Sequence, residues 1–144
     1  MKRSFLIFFL VNSGFCLLGQ GTDPERIVGI WKSPSEGLMI KIDKVGDHFQ
    51  GRIVWLNTSE LDQPALDVNN PDKRLQKMPL KGNKVIKELS YNSSELVWDG
   101  GTFYHYKEGK LYNCHITIDS NDKIKIVRYT QHPKDAIVET WIRH

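Results

Sequence analysis

Cysteine is scarce in this chain of 144 residues, which contains two, Cys16 and Cys114. Cys16 lies in an N-terminal segment that we expect to be removed, so Cys114 has no intramolecular partner and a stabilising disulfide is excluded. We expect Cys114 to be a small buried apolar residue. The five histidines form no pair at i, i+3 or i, i+4, and no second cysteine is available for zinc. The sequence therefore predicts neither a bound metal nor a cofactor.

Long apolar runs are also missing. Residues 5–18 are interrupted by Asn12, Ser13 and Gly14, and the run is shorter than the ~20 residues that a transmembrane helix needs. Lys2 and Arg3 precede the run and small residues follow it, which is the pattern of a cleaved signal peptide. We expect residues 1–20 to be a signal peptide and residues 21–144 to be one domain, exported to the periplasm or the exterior. Phe15, where a lipoprotein has a small residue, argues against a lipid anchor.

A strong charge excess is absent too. Loss of Lys2 and Arg3 with the leader takes the 20 basic residues to 18, against 17 acidic residues. This balance gives the whole chain no electrostatic footprint for nucleic acid or an anionic membrane. We expect a monomer, with a small molecule as its possible partner.

Catalytic motifs are lacking. The chain has no Gly-x-Ser-x-Gly elbow, no phosphate-binding glycine loop and no carboxylates that spacing alone would pair. The oxygens of segment 67–72 lack the Gly and bidentate Glu of a calcium loop. A noncatalytic role is favoured, although an uncharacterised hydrolase stays open because catalytic residues can meet only in three dimensions. The residues to test first would be Asp67, Asp72, Asp99 and His105.

Two-residue alternation of apolar and polar side chains is what the sequence does have. It runs through segments 38–42, 49–55, 112–118 and 124–128, separated by Gly, Asn or Asp turns. Alternation of this kind puts one face of a strand in a core and the other in water. Further strands are predicted at 28–32, 85–91, 95–98, 102–106 and 137–143. About eight or nine sequential strands predict an all-β, antiparallel up-and-down barrel, since closure removes exposed edges.

Matching apolar faces predicts the register of three hairpins. The turn at 44–47 would pair Ile42 with Phe49. The turn at 120–122 would pair Ile118 with Ile124 and Cys114 with Arg128. The turn at 107–110 would bring Phe103 and His105 beside Cys114 and Tyr112 on the inner face. Between the strands, the long polar connection from Asn57 to Gly82 is longer than usual, which is typical of functional loops.

Several short motifs occur in order along most of the chain. They are Gly51-Arg52-Ile53-Val54-Trp55-Leu56, Leu66-Asp67-Val68-Asn69-Asn70-Pro71-Asp72, Pro79-Leu80-Lys81-Gly82, Trp98-Asp99-Gly100-Gly101, Gly109-Lys110-Leu111-Tyr112, Val127-Arg128 and Trp141-Ile142-Arg143. Together they resemble an exported bacterial family catalogued as domain of unknown function 2147. The resemblance implies a lipocalin-like (calycin) barrel and export. Gly29-Ile30-Trp31 is similar to the Gly-x-Trp of lipocalins, which implies structural closure by Gly29 and Trp31. The resemblance to the family implies no activity.

Arg128 is the sharpest candidate for function. If segment 124–126 faces inward so does Arg128, and a buried guanidinium needs acceptors or an aromatic face. It could anchor the polar head of a ligand, or it could stack on Trp31 and close the barrel. Side chains that could complete a pocket with Arg128 are Trp55, Trp98, Tyr112 and His105. Each of the four tryptophans could equally fill the core of a small barrel.

The sequence therefore predicts noncatalytic binding of a small, partly apolar ligand in the cell envelope, with the loop 57–82 at the mouth. One alternative is an interaction module that binds an envelope protein or polysaccharide around a solid core. The other is the hydrolase.

Overall fold

The structure, a computed structural model, describes residues 23–57 and 64–144. Eight strands form one closed antiparallel barrel in which each strand pairs with its neighbours in sequence and the last pairs with the first. They are β1 Gly29–Ser33, β2 Leu38–Val45, β3 His48–Leu56, β4 Lys84–Asn92, β5 Val97–His105, β6 Lys110–Ser120, β7 Lys123–Tyr129 and β8 Ile137–Arg143. Short 3₁₀ helices lie at Pro24–Ile27 and Pro133–Asp135. The predicted all-β up-and-down barrel is confirmed, and the predicted signal peptide lies outside the described residues.

Alternation explains the strands. In β2, Leu38, Ile40 and Ile42 are buried while Lys41 between them is exposed. In β7, Ile124, Ile126 and Arg128 point inward in the same way. No helix in the described ranges is long and apolar enough to cross a bilayer.

The hairpin between β2 and β3 is tighter than predicted. Ile42 pairs with Gly51 rather than with Phe49, and Phe49 pairs with Lys44. The cause is Gly46, whose φ of +61° permits a two-residue turn that begins at Val45 and ends at His48. Because the shift is by two residues, the same side chains still face the core.

The hairpin between β6 and β7 has the predicted pairs, Ile118 with Ile124 and Cys114 with Arg128. Between β5 and β6 the predicted inner face is correct but its pairing is shifted, since Phe103 pairs with Tyr112 and Gly101 with Cys114.

The predicted strands 95–98 and 102–106 form the single strand β5. An irregularity between Trp98 and Gly101 lets the chain continue across Gly100, which has a φ of +71°. At Gly101 a Cβ would lie 2.7 Å from Leu89 and 2.8 Å from the Lys87 carbonyl oxygen. The two glycines therefore mark a bulge inside one strand, where sequence reading placed a break.

One end of the barrel is plugged by the first 3₁₀ helix. The Trp31 indole N–H donates to the Ile27 carbonyl at 2.8 Å, and the Trp98 indole N–H donates to the Pro24 carbonyl at 2.9 Å. Ile27, Trp31 and Trp98 are fully buried. We call this the closed end; the opposite end, which carries polar side chains, is the polar end.

Candidate functional site

The polar end gathers buried and half-buried polar side chains from separate elements. β1 and the turn after it supply Ser33 and Glu36, β5 supplies His105, and the last three strands supply Tyr112, Arg128 and Glu139. Each strand residue faces inward by alternation and lies where its strand begins or ends at this side of the barrel.

Arg128 is 5% exposed and lies between aromatic rings and carboxylates. Its Cζ is 4.9 Å from the centre of the Phe103 ring and 5.8 Å from that of Tyr112. Its Nη2 is 3.7 Å from Glu139 Oε2 and 3.9 Å from Glu36 Oε1. These ion-pair distances exceed a hydrogen bond. The Arg128 charge is therefore balanced, but its donors are not saturated by the two carboxylates.

His105 joins two turns at this end. Its Nε2 is 3.0 Å from Glu36 Oε1, and its Nδ1 is 3.4 Å from Glu108 Oε2. Lys107 Nζ lies 3.1 Å from the second Glu36 oxygen. Burial raises the pKa of Glu36, but the hydrogen bonds from His105 and Lys107 outweigh burial, so the net pKa lies below the usual value of 4.5.

The remaining carboxylates accept hydroxyl hydrogen bonds. Ser33 Oγ donates to Glu139 Oε1 at 2.5 Å, and Ser35 donates to the same oxygen. The Tyr112 hydroxyl donates to Glu108 Oε2 at 2.6 Å, and this bond together with burial raises the pKa of Tyr112. These bonds hold the carboxylates that surround Arg128 and His105.

Three buried nitrogens at or near this cluster make no hydrogen bond to any described residue: Arg128 Nε, Trp141 Nε1 and His105 Nδ1, whose 3.4 Å contact with Glu108 is an ion-pair distance without hydrogen-bond geometry. The Trp141 ring packs edge-on against Phe103 at 6.5 Å, and Phe103 also underlies Arg128. The side chains of Arg128 and Trp141, each with one unpaired N–H donor, thus pack against the same aromatic ring. Buried donors are normally paired, so an unpaired one calls for an explanation such as a bound acceptor.

The structure brings together three of the five predicted ligand-binding residues, Arg128, His105 and Tyr112. Trp98 is buried at the closed end, where Pro24 accepts its indole N–H. Trp55 is 41% exposed on the outside of the barrel, beside Leu56, Pro64 and Ala65. Trp55 and Trp98 therefore lie away from Arg128 and the polar end. Within residues 23–57 and 64–144, no group of three or more His, Cys, Asp or Glu is placed to hold a metal ion.

The alternative in which Arg128 stacks on Trp31 is wrong, because Arg143 occupies that position. Its Cζ is 4.1 Å from the centre of the Trp31 ring, and it donates to the Val28 and Arg26 carbonyls at 3.1 and 2.7 Å. Gly29 has a φ of +140°, and a Cβ there would lie 2.6 Å from Arg143 Nη1. Gly29, Trp31 and Arg143 thus form one structural closure.

The sequence did not point to Glu36 or Glu139, and it named Asp67 only among the residues to test for catalysis. Alternation through β8 would have found Glu139, since it shares a face with Trp141 and Arg143. Asp67 is 1% exposed and accepts from the Tyr104 hydroxyl at 2.7 Å and the Asn70 amide at 2.7 Å. No local sequence pattern indicates Glu36, because it lies in a turn.

The closed antiparallel eight-stranded barrel, with its Gly29-x-Trp31 closure, is a lipocalin-like fold. A solved structure of a protein from Helicobacter pylori, described as belonging to the lipocalin family, superposes with a TM-score of 0.71. The two sequences are 18% identical over 82% of each chain, so the similarity establishes the fold alone. A family of uncharacterized proteins conserved in bacteria, DUF2147, matches residues 29–143, and the chain belongs to that family. A search of curated proteins found no match.

Proposed function

We propose that this protein binds a small, partly apolar molecule at the polar end of its barrel, without chemical conversion, in the cell envelope. The observation that carries the proposal is the pair of buried, unpartnered donors, Arg128 Nε and Trp141 Nε1, on two side chains that both pack against the Phe103 ring. Phe103 and Tyr112 offer apolar surface, and the donors fix the orientation of a polar group, which is the usual composition of a ligand site.

The charges around Arg128 select the polar group of the ligand. Glu36 and Glu139 already balance Arg128 and Lys107, so a ligand carboxylate would add an uncompensated negative charge to a buried cluster. A neutral acceptor such as a carbonyl or ether oxygen would satisfy the donors without that penalty. The ligand we propose is therefore an uncharged acceptor attached to an apolar body.

A second function is favoured by a separate observation, the exposed apolar side chains near the long loop. Trp55, Leu66, Val68, Leu75 and Met78 are each more than a third exposed. Such a surface suits an interaction module that contacts an envelope partner. The barrel centre is filled by Trp31, Trp98, Trp141 and aliphatic side chains, and this also suits an interaction module built around a solid core.

Native mass spectrometry of the full chain purified from its own host tests the ligand proposal. We expect a noncovalent mass increment that disappears on denaturation. Trp141→Phe and Arg128→Lys each remove one of the unpaired N–H groups and should reduce the bound fraction by about tenfold, which corresponds to one lost hydrogen bond. N-terminal sequencing of the protein from the periplasmic fraction tests export.

The matched control is Trp98→Phe. It removes an indole N–H that already has a protein acceptor, so it should lower stability but leave the bound fraction unchanged. Equal occupancy in all three variants, or no increment in the native chain, would refute the ligand site. The refutation would leave the interaction module as the better supported function.

A further inference from the structure

Charge is distributed unevenly in this nearly neutral chain. Residues 64–87 contain six basic side chains and two acidic ones. Both acids are occupied: Asp67 is buried and accepts from Tyr104, Asn70 and Asn83, and Asp72 pairs with Arg74 at 2.7 Å. Among the residues that the structure describes, no carboxylate lies within ion-pair distance of Lys81, Lys84 or Lys87. The segment therefore presents cations that the protein itself does not neutralise.

The strand register concentrates the cations further. On the outer face of the barrel, Lys41 pairs with Arg52, and Arg52 pairs with Lys84. Like charges that lie directly opposite across strands are destabilising. Lys41 has Asp43 at 3.3 Å, whereas no carboxylate in the described part of the chain pairs with Arg52 or Lys84. Glu88 of the same strand has His48 as its partner at 4.0 Å. An arrangement of this kind suits an external anion.

A cleft of about 430 Å³ lies where these cations meet the long loop. Lys81, Lys84 and Lys87 line the cleft together with Leu75, Met78 and Pro79. Leu75 is 44% exposed and Met78 is 54% exposed. The Asp67 carboxylate also borders the cleft, but its oxygens are engaged by the hydrogen bonds described above. Unpaired cations are thus next to apolar side chains that face water.

We propose that this surface, formed by Arg52, Leu75, Met78, Lys81, Lys84 and Lys87, docks the protein on an anionic phospholipid membrane. The lysines would contact headgroup phosphates, and Leu75 and Met78 would enter the boundary between headgroups and acyl chains. A soluble polyanion would satisfy the lysines but would leave both apolar side chains in water. The combination therefore favours a lipid surface, and this binding is separate from the site at the polar end.

Cosedimentation of the full chain with vesicles tests the proposal. We expect binding to phosphatidylcholine vesicles that contain about one quarter phosphatidylglycerol, none to phosphatidylcholine alone, and release as salt rises from about 0.1 M to about 0.5 M. Each lysine near an anionic surface raises the affinity for the vesicle about fivefold. The combined variant Lys81→Gln, Lys84→Gln and Lys87→Gln should therefore weaken binding on the order of 100-fold. The variant Leu75→Gln with Met78→Gln should also weaken it, by about tenfold.

The matched control is the combined variant Lys32→Gln, Lys123→Gln and Lys134→Gln. It removes the same charge from exposed positions elsewhere and should change binding by no more than about twofold.

Equal losses in the two lysine variants, equal binding to both kinds of vesicle, or no binding to anionic vesicles would overturn the proposal. Full binding by the Leu75 and Met78 variant would show that charge alone holds the protein on the vesicles, and it would overturn the insertion of these two side chains on which the choice of a lipid surface rests. Urea unfolding of each variant confirms that the barrel is intact.

Discussion

The Nε2 atom of His105 lies 3.0 Å from Glu36 Oε1, and this contact ties the turn between β1 and β2 to the end of β5. Both side chains are mostly buried, at 11% and 15% exposure. The same carboxylate also receives Lys107 and faces Arg128. Glu36 is therefore the residue through which three separate cationic or imidazole groups are held at the polar end.

Acid should destabilise the protein through Glu36. Its folded pKa lies below 4.5, so its contribution to the free energy of unfolding is complete above about pH 4.5 and is lost as the pH falls through the folded pKa. Glu36→Gln should lower the free energy of unfolding at neutral pH by about 2 kcal/mol and should flatten its acid dependence. Urea unfolding at neutral and acid pH measures both effects. Glu95→Gln, at an exposed carboxylate, should keep the acid dependence of the native chain.

Arg143 should contribute strongly to the stability of the protein through the closed end. Arg143→Ala removes the stacking on Trp31 and the hydrogen bonds to the Val28 and Arg26 carbonyls. We expect the free energy of unfolding to fall by about 3 kcal/mol. Arg74→Ala, at an exposed arginine, should leave the unfolding curve unchanged. Similar midpoints for the two variants would contradict the role of the Trp31–Arg143 stack.

Two glycines with nearly the same φ should respond differently to alanine. Gly46 has a φ of +61° and open space around it, so Gly46→Ala should cost about 1 kcal/mol from backbone conformation alone. Gly109 has a φ of +62°, but a Cβ there would overlap the Asn69 carbonyl oxygen. Asn69 binds the Tyr106 and Lys107 carbonyls, so Gly109→Ala should also detach the loop and cost about 3 kcal/mol. Thermal unfolding compares the variants, and equal losses would show that the loop does not depend on Gly109.

Cys114 should be inert in the folded protein. Burial raises the pKa of its thiol to about 12, despite the opposing effect of the Arg128 charge. At pH of about 8 almost none of it would be thiolate. We expect a disulfide reagent such as dithiobisnitrobenzoate to react with Cys114 only after urea unfolds the chain. Rapid reaction in native buffer would show that the barrel opens around Cys114.

The barrel could be predicted because alternation is a local signal. Ile118 opposite Ile124 and Cys114 opposite Arg128 follow from apolar matching across one turn. The slip at Ile42 and Phe49 shows the limit of that signal: a shift by two residues preserves the buried face, so the pattern cannot distinguish the two registers. Turn geometry at Gly46 decides between them.

The candidate site was only partly predictable, because its members meet through the closure of the barrel. Inward alternation correctly oriented Arg128, His105 and Tyr112. It could not choose between Arg128 and Arg143 as the partner of Trp31, since that depends on which end of β1 each arginine reaches. Glu36 lies in a turn without periodicity, and Asp67 acquires its partner Tyr104 through a contact 37 residues away.

The seam between β1 and β8 has two register pairs, Trp31 with Arg143 and Lys32 with Ile142, whereas β7 and β8 share six. This short seam joins segments separated by most of the sequence, so its formation carries the largest loop-closure entropy in the ring. The molecule should therefore complete its cylinder last during folding. The stack of the Arg143 guanidinium on the Trp31 indole would then stabilise this last strand pairing once it has formed.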